Sequence, residues 1–247
     1  MSWPIEPGNA VCGGVALVVC VVLCATARPQ VADQHHPPRS AEEYAKVLDA
    51  PSREAWQKPD EVVRALGFKP GESVADIGAG TGYFARRFAP YVAKVYAVDI
   101  DDKLLKTAAE GAPPNLETVL ATPADPKLPE ASVDVIFFCN VLHHIENRTA
   151  YYQKLARALK PGGRIVNIDF FKKPLPVGPP VGMKLSEDEV VAEFKAAGFS
   201  LVKTHSFLPY QYFQVFSRAD RSSRFPASFR VAISAPDSRH LVNLKYD

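Results

Sequence analysis

The chain has 247 residues, 47% of them apolar and 23% charged, with a formal net charge of +2. Those values suit a globular α/β chain with a full core, and no internal repeat is apparent in the sequence. The near-neutral charge removes the general case for a nucleic-acid partner or an acidic substrate. Three of the four cysteines, Cys12, Cys20 and Cys24, lie close to the N-terminus, so Cys139 stands alone in the remainder and cysteine usage selects no redox compartment.

Residues 10–27, "AVCGGVALVVCVVLCATA", form an uncharged apolar run at the short edge of a membrane-spanning length. Two readings of residues 1–27 stay open. A signal peptide would use the small residues "ATA" as its cleavage site, which exports the chain. A retained anchor agrees better with Glu6 before the run and with Arg28 and Arg39 after it, and it makes the protein membrane-associated. Residues 28–39, "RPQVADQHHPPR", read as a proline-rich linker; His35 and His36 lack companion ligands, and no metal is expected.

From residue 40 to 216 the pattern is that of one α/β domain. "SAEEYAKVLDA" predicts a helix capped at Ser40, and "KPDEVVRALG" a second that stops at Gly67. Between them, "REAWQKP" either folds over a ligand as a lid, with Arg53, Trp56 and Gln57 facing inward, or packs through its tryptophan. Strands are expected at 73–77, 94–98, 116–120, 133–139, 164–170, 200–206 and 210–216. Helices separate the earlier ones, which implies a mainly parallel, doubly wound sheet. The last two are joined by "LPYQ", too short for a crossover, so they are antiparallel neighbours.

The chemistry concentrates after the first strand. "VADIGAGTGYF" places Asp76, Gly78, Ala79, Gly80 and Gly82 in a strand-to-helix turn, with "TGYFARRFAPYV" as the expected helix. Glycines there let a ligand approach the backbone and the helix N-terminus. The spacing is not the dinucleotide G-x-G-x-x-G, since Tyr83 holds the sixth position, and no P-loop occurs. Asp76 would repel a pyrophosphate but suits an ammonium or sulfonium charge, which points to S-adenosylmethionine. "AKVYAVDI" then ends in Asp99 and Ile100, where a strand-end carboxylate can accept both ribose hydroxyls; Asp101 is the better helix cap.

Together, "VADIGAGTG", "VYAVDI", "SVDVIFFCNVLHHI" and "LKPGGRIVNIDF" resemble the class I S-adenosylmethionine-dependent methyltransferases, over roughly residues 40–216. The resemblance implies a Rossmann-like sheet of strand order 3-2-1-4-5-7-6 with strand 7 antiparallel. It also implies methyl transfer to a small-molecule acceptor, apolar or lipidic if the N-terminal run is an anchor. "CNVLHHIENR" puts Asn140 and His143 near the methyl, with His143 the candidate base and His144 structural. Adenine recognition departs from the family's pattern; within "LATPADPKLPEASVD", Asp125 is the chosen contact. Tyr83, Asp169 and Lys172 join Arg53, Trp56 and Gln57 as acceptor-side candidates, the last two of the first three belonging to the proline-rich loop after strand 5 and its approach. Residues 217–247 read as a basic tail. Two rivals remain, a nicotinamide oxidoreductase and a non-catalytic cofactor-binding protein. The chain lacks the [DN]-P-P-[YF] of nucleic-acid amino-methyltransferases and has "NVLH" in its place.

Overall fold

A computed structural model describes residues 40–219. The N-terminal run, the linker and the tail beyond residue 219 lie outside the described residues. Among the described residues, no helix is long and apolar enough to cross a membrane.

Helix α1 (Ala41–Leu48) starts as its sequence dictates. Ser40 Oγ accepts from the Glu43 amide and the Glu43 carboxylate accepts from the Ser40 amide, each at 3.1 Å. A 3-10 turn at Pro51–Arg53 leads into α2 (Glu54–Gln57), and α3 (Pro59–Leu66) opens on a proline and closes on left-handed Gly67.

The seven strands are β1 (Ser73–Ile77), β2 (Lys94–Asp99), β3 (Leu116–Leu120), β4 (Val133–Cys139), β5 (Leu159–Phe170), β6 (Phe199–His205) and β7 (Gln211–Arg218). They form one sheet in the order β3-β2-β1-β4-β5-β7-β6. The first five pair in parallel, and β7 is antiparallel to both its neighbours. This is the order the resemblance implied. β7 continues to Arg218, two residues into the segment read as tail.

Both faces of the sheet are covered, which is why β1 is buried at all five positions and its sequence does not alternate. On one face Val74, Phe84, Phe88, Phe137 and Phe213 pack together; on the other, Ile77, Ile136, Phe138, Leu155 and Phe194 do. Each such side chain stabilises the fold by about 1.5–3 kcal/mol of removed apolar surface before the entropy of ordering is subtracted. α6 (Arg148–Ala158) and α7 (Glu187–Ala196) cover the second of these clusters, whereas α5 (Asp102–Ala109) lies beside the segment after the glycine turn, Arg86 donating to the Thr107 and Ala108 carbonyls.

One expectation is corrected. The helix after the glycines is only α4 (Ala85–Phe88), followed by a 3-10 turn at Ala89–Tyr91. The Gly82 amide donates back to the Ala79 carbonyl at 2.9 Å, so the chain is still turning there, and Pro90 has no amide with which to continue an α-helix.

Candidate cofactor and acceptor site

The glycine turn is shaped by what lies against it. At Gly78, φ is +72°, and a Cβ would overlap the Val141 side chain beyond β4. A Cβ at Gly80, φ +55°, would lie 2.7 Å from Leu48 Cδ1 at the end of α1. Thr81 Oγ1 also donates to Asp49 Oδ1 at 2.7 Å, so the N-terminal segment is fastened over the turn.

Two carboxylates flank this turn. Asp76 is only 3% exposed, and burial pushes its carboxyl up to about 8. The Ala85 amide and the Arg53 charge oppose that rise, whereas Asp99 adds to it. The first amide of α4 therefore serves a side chain of the protein. Asp99 accepts from the Gly80 amide at 2.8 Å and the Asp101 amide at 3.0 Å, yet burial still raises it. Asp101 takes the capping role, accepting from the Lys103 amide at 2.8 Å. Next to Asp99, Ile100 is 59% exposed and offers an apolar surface to a flat ring.

Asp125 is arranged otherwise than expected. Its backbone closes a small bridge with Thr122, and its carboxylate meets the Lys127 amide and Lys154 Nζ, both at 2.9 Å. Those two contacts hold it below the usual carboxylate range. Through Lys154 it is tied to α6.

Around α2, Arg53 and Gln57 are buried and Trp56 is half-buried. Arg53 donates to the Leu48 carbonyl at 2.8 Å and to Gln57 Oε1 at 3.4 Å, and its guanidinium lies 4.0 Å from the Tyr83 ring. Arg87 stands 4.0 Å from the same ring, and burial raises the Tyr83 hydroxyl, which has no hydrogen-bond partner among the described residues. Gln57 Nε2 donates to Gln211 Oε1 at 2.8 Å; Gln211 Nε2 donates to Asn140 Oδ1, and Asn140 Nδ2 returns to Gln57 Oε1 at 3.4 Å. The three side-chain amides thus close a ring, in which Asn140 has a left-handed backbone at φ +62°.

His143 and Asp169 meet at the carboxyl ends of β4 and β5. Nδ1 lies 3.0 and 2.9 Å from the two carboxylate oxygens, one of which also accepts from the Phe170 amide at 2.8 Å. His144 is exposed, its ring 4.2 Å from that of His143. Lys172 does not join this group: it is exposed and pairs with Glu189 at 2.9 Å. The structure adds two residues that sequence reasoning missed, Gln211 and the buried Lys184. Gln211 stands within "YQYFQVF", where only the aromatics drew attention; Lys184 carries no motif signal.

A doubly wound seven-stranded sheet with a reversed β7, and a glycine turn facing acidic ends of β1 and β2, define a class I methyltransferase fold. Residues 75–167 match the family described as Methyltransferase domain. Over 109 residues the chain is 36% identical to a demethylmenaquinone methyltransferase of Tropheryma whipplei, covering 43% of this chain and 45% of that one. Over 134 residues it is 29% identical to a ubiquinone/menaquinone biosynthesis C-methyltransferase of Ectopseudomonas mendocina, 51% of this chain and 52% of that one. The chain thus spans about half the length of these relatives. A solved SAM-dependent methyltransferase from Aquifex aeolicus superposes with a TM-score of 0.67 at 26% identity, over 72% of this chain and 98% of that one. Residues 75–167 thus carry a methyltransferase domain, built on the class I S-adenosylmethionine-dependent methyltransferase fold.

Proposed function

We propose that the protein transfers a methyl group from S-adenosylmethionine to a small-molecule acceptor, with His143 as the base. The observation that carries this is the enclosed His143–Asp169 pair, two residues beyond the Val141 that packs on the glycine turn. When bound, the cofactor supplies a methyl group already activated as a sulfonium, so the protein must align the acceptor and manage its proton.

The residues present fit that cofactor. Asp99 keeps lone pairs free beside the turn for ribose hydroxyls, Ile100 offers a face to adenine, and Asp76 presents a buried carboxyl suited to a cation. Arg53, buried and close enough to Asp76 to lower it, supplies a countercharge for a carboxylate. Asp169 holds His143 Nδ1, which leaves Nε2 to accept a proton from the acceptor. The relatives' names bring carbon acceptors into consideration beside oxygen ones. A membrane tether through residues 10–27 would favour an apolar acceptor, and N-terminal sequencing of fractionated protein tests the tether.

The full chain incubated with methyl-labelled S-adenosylmethionine and a panel of phenols, hydroquinones, amines and thiols should release S-adenosylhomocysteine with at least one acceptor. Failure of S-adenosylmethionine to bind, measured by calorimetry, would sink the proposal.

A further inference from the structure

One buried charge has no part in the mechanism above. Lys184 is 2% exposed, although it ends a loop rich in proline and glycine, residues 171–186. Its ammonium donates to the Lys173 carbonyl at 2.8 Å. Among the described residues this is the one hydrogen bond it makes, which leaves two of its three N–H donors for something else. Burying an ammonium is costly unless it is paired. A clasp between the two ends of the loop needs one donor and no charge.

Its position gives the charge a use. Lys184 Nζ lies 5.8 Å from the ring of Phe170, the last residue of β5 and the neighbour of Asp169. The loop is pressed onto this ring, since a Cβ at Gly178 would lie 2.8 Å from Phe170 Cδ1. Trp56 of α2 approaches the ring from elsewhere, with centroids 5.7 Å apart. Burial pulls the Lys184 ammonium below its usual range, and the Asp169 carboxylate works against that fall. Asp169, which holds His143, directly precedes Phe170 in β5, so the cation and the base stand off the same strand end.

We propose that Lys184 determines acceptor specificity: its ammonium selects acceptors with an acidic hydroxyl, a phenol or an enol, and holds the conjugate oxyanion while His143 holds the proton. The proposal rests on the methyltransferase reading and names the class of acceptor for it. In the step involved, the acceptor O–H bond breaks, its electron pair stays on oxygen, and the proton moves to Nε2 of His143. The imidazolium is then paired with Asp169 and the oxyanion with Lys184, so no buried charge is left alone. A cationic amine would meet like charge at the same place, which disfavours it.

The test uses the full chain saturated with S-adenosylhomocysteine and the chromophores 4-nitrophenol and 4-nitrocatechol, whose phenolate absorbance reports ionisation. Both should bind, and the bound form should ionise about one pH unit or more below the free one. Lys184→Met should abolish that displacement and weaken binding about tenfold, whereas Lys184→Arg should keep most of it and 4-nitroanisole should not distinguish the variants. Two results overturn the proposal: neither nitrophenol binds the wild type, or Lys184→Met keeps both displacement and affinity and only lowers the melting temperature. Calorimetry on the same samples separates these from failure of the methyltransferase reading, which would show as no binding of S-adenosylhomocysteine at all.

Discussion

His143 Nδ1 lies 2.9 Å from Asp169 Oδ2, and the two side chains are 2% and 1% exposed. A carboxylate at Nδ1 fixes the ring's orientation and places the proton of the neutral imidazole there, so Nε2 is the acceptor. His143→Ala should therefore lower kcat by roughly 100-fold or more, with little change in affinity for the cofactor. Asp169→Asn should also lower kcat, because an amide can turn its NH2 group toward Nδ1 and invert the tautomer. Single-turnover rates with calorimetric cofactor affinities check both; unchanged rates would leave alignment alone as the contribution of this end of the sheet.

Asp76 should make cofactor binding depend on pH. With its carboxyl pushed up to about 8, it is largely protonated at neutral pH in the unliganded protein. A cationic ligand must displace that proton, so affinity should climb by up to about tenfold per pH unit below 8 and level off above it. The effect on stability has the opposite sense. The folded value stands above the ordinary 3.8, so the protonated group's stabilisation is full below about 4 and is lost as pH rises to about 8. Asp76→Asn should remove both slopes. Calorimetry and thermal melts across pH 5–9 measure them, and parallel curves for the two proteins would contradict the assignment.

Gly78→Ala should destabilise the fold by about 1–3 kcal/mol, since the new Cβ must displace Val141 and sit at φ +72°. Val141 is two residues from His143, so activity should fall further than stability explains. Val141→Ala in the same chain should recover part of the loss. Denaturant melts of the three variants test this, and a neutral Gly78→Ala would show that the contact gives way freely.

Asp99→Ala should weaken S-adenosylmethionine binding while the sheet survives. The carboxylate organises the Gly80 and Asp101 amides and is the nearest candidate for the ribose. Asp99→Asn, which keeps an acceptor oxygen, should lose less. Wild-type affinity in the alanine variant would place the ribose elsewhere.

Much of this arrangement was readable from local patterns. "LPYQ" forced a hairpin between β6 and β7, and the Ser40 capping box and the Asp101 cap announced their helices. Three features were not local. Pro90 cut α4 short after a run that otherwise had helical spacing. Lys154, on another element, pairs with Asp125, a partner that the loop's own sequence does not announce. Lys172 and Lys184 belong to the same loop and look equivalent in sequence; the tertiary path of that loop buries one and exposes the other.

The ring of amides formed by Gln57, Gln211 and Asn140 joins residues 154 positions apart and ties α2 to the start of β7. Gln57 and Gln211 are fully buried, so removing one partner leaves the others without donors or acceptors that water can replace. Gln57→Ala and Gln211→Ala should each cost about 1–3 kcal/mol, and the double variant less than their sum, because the second loss removes groups already orphaned. α2 also carries Trp56 against Phe170, so the same variants should free the N-terminal segment from the end of β5. That would appear as faster proteolysis near residue 57 and a raised KM ahead of any fall in kcat. A double-mutant cycle on denaturation midpoints decides the matter: strictly additive losses would mean that the three amides stabilise their own elements separately and do not latch the segment to the sheet.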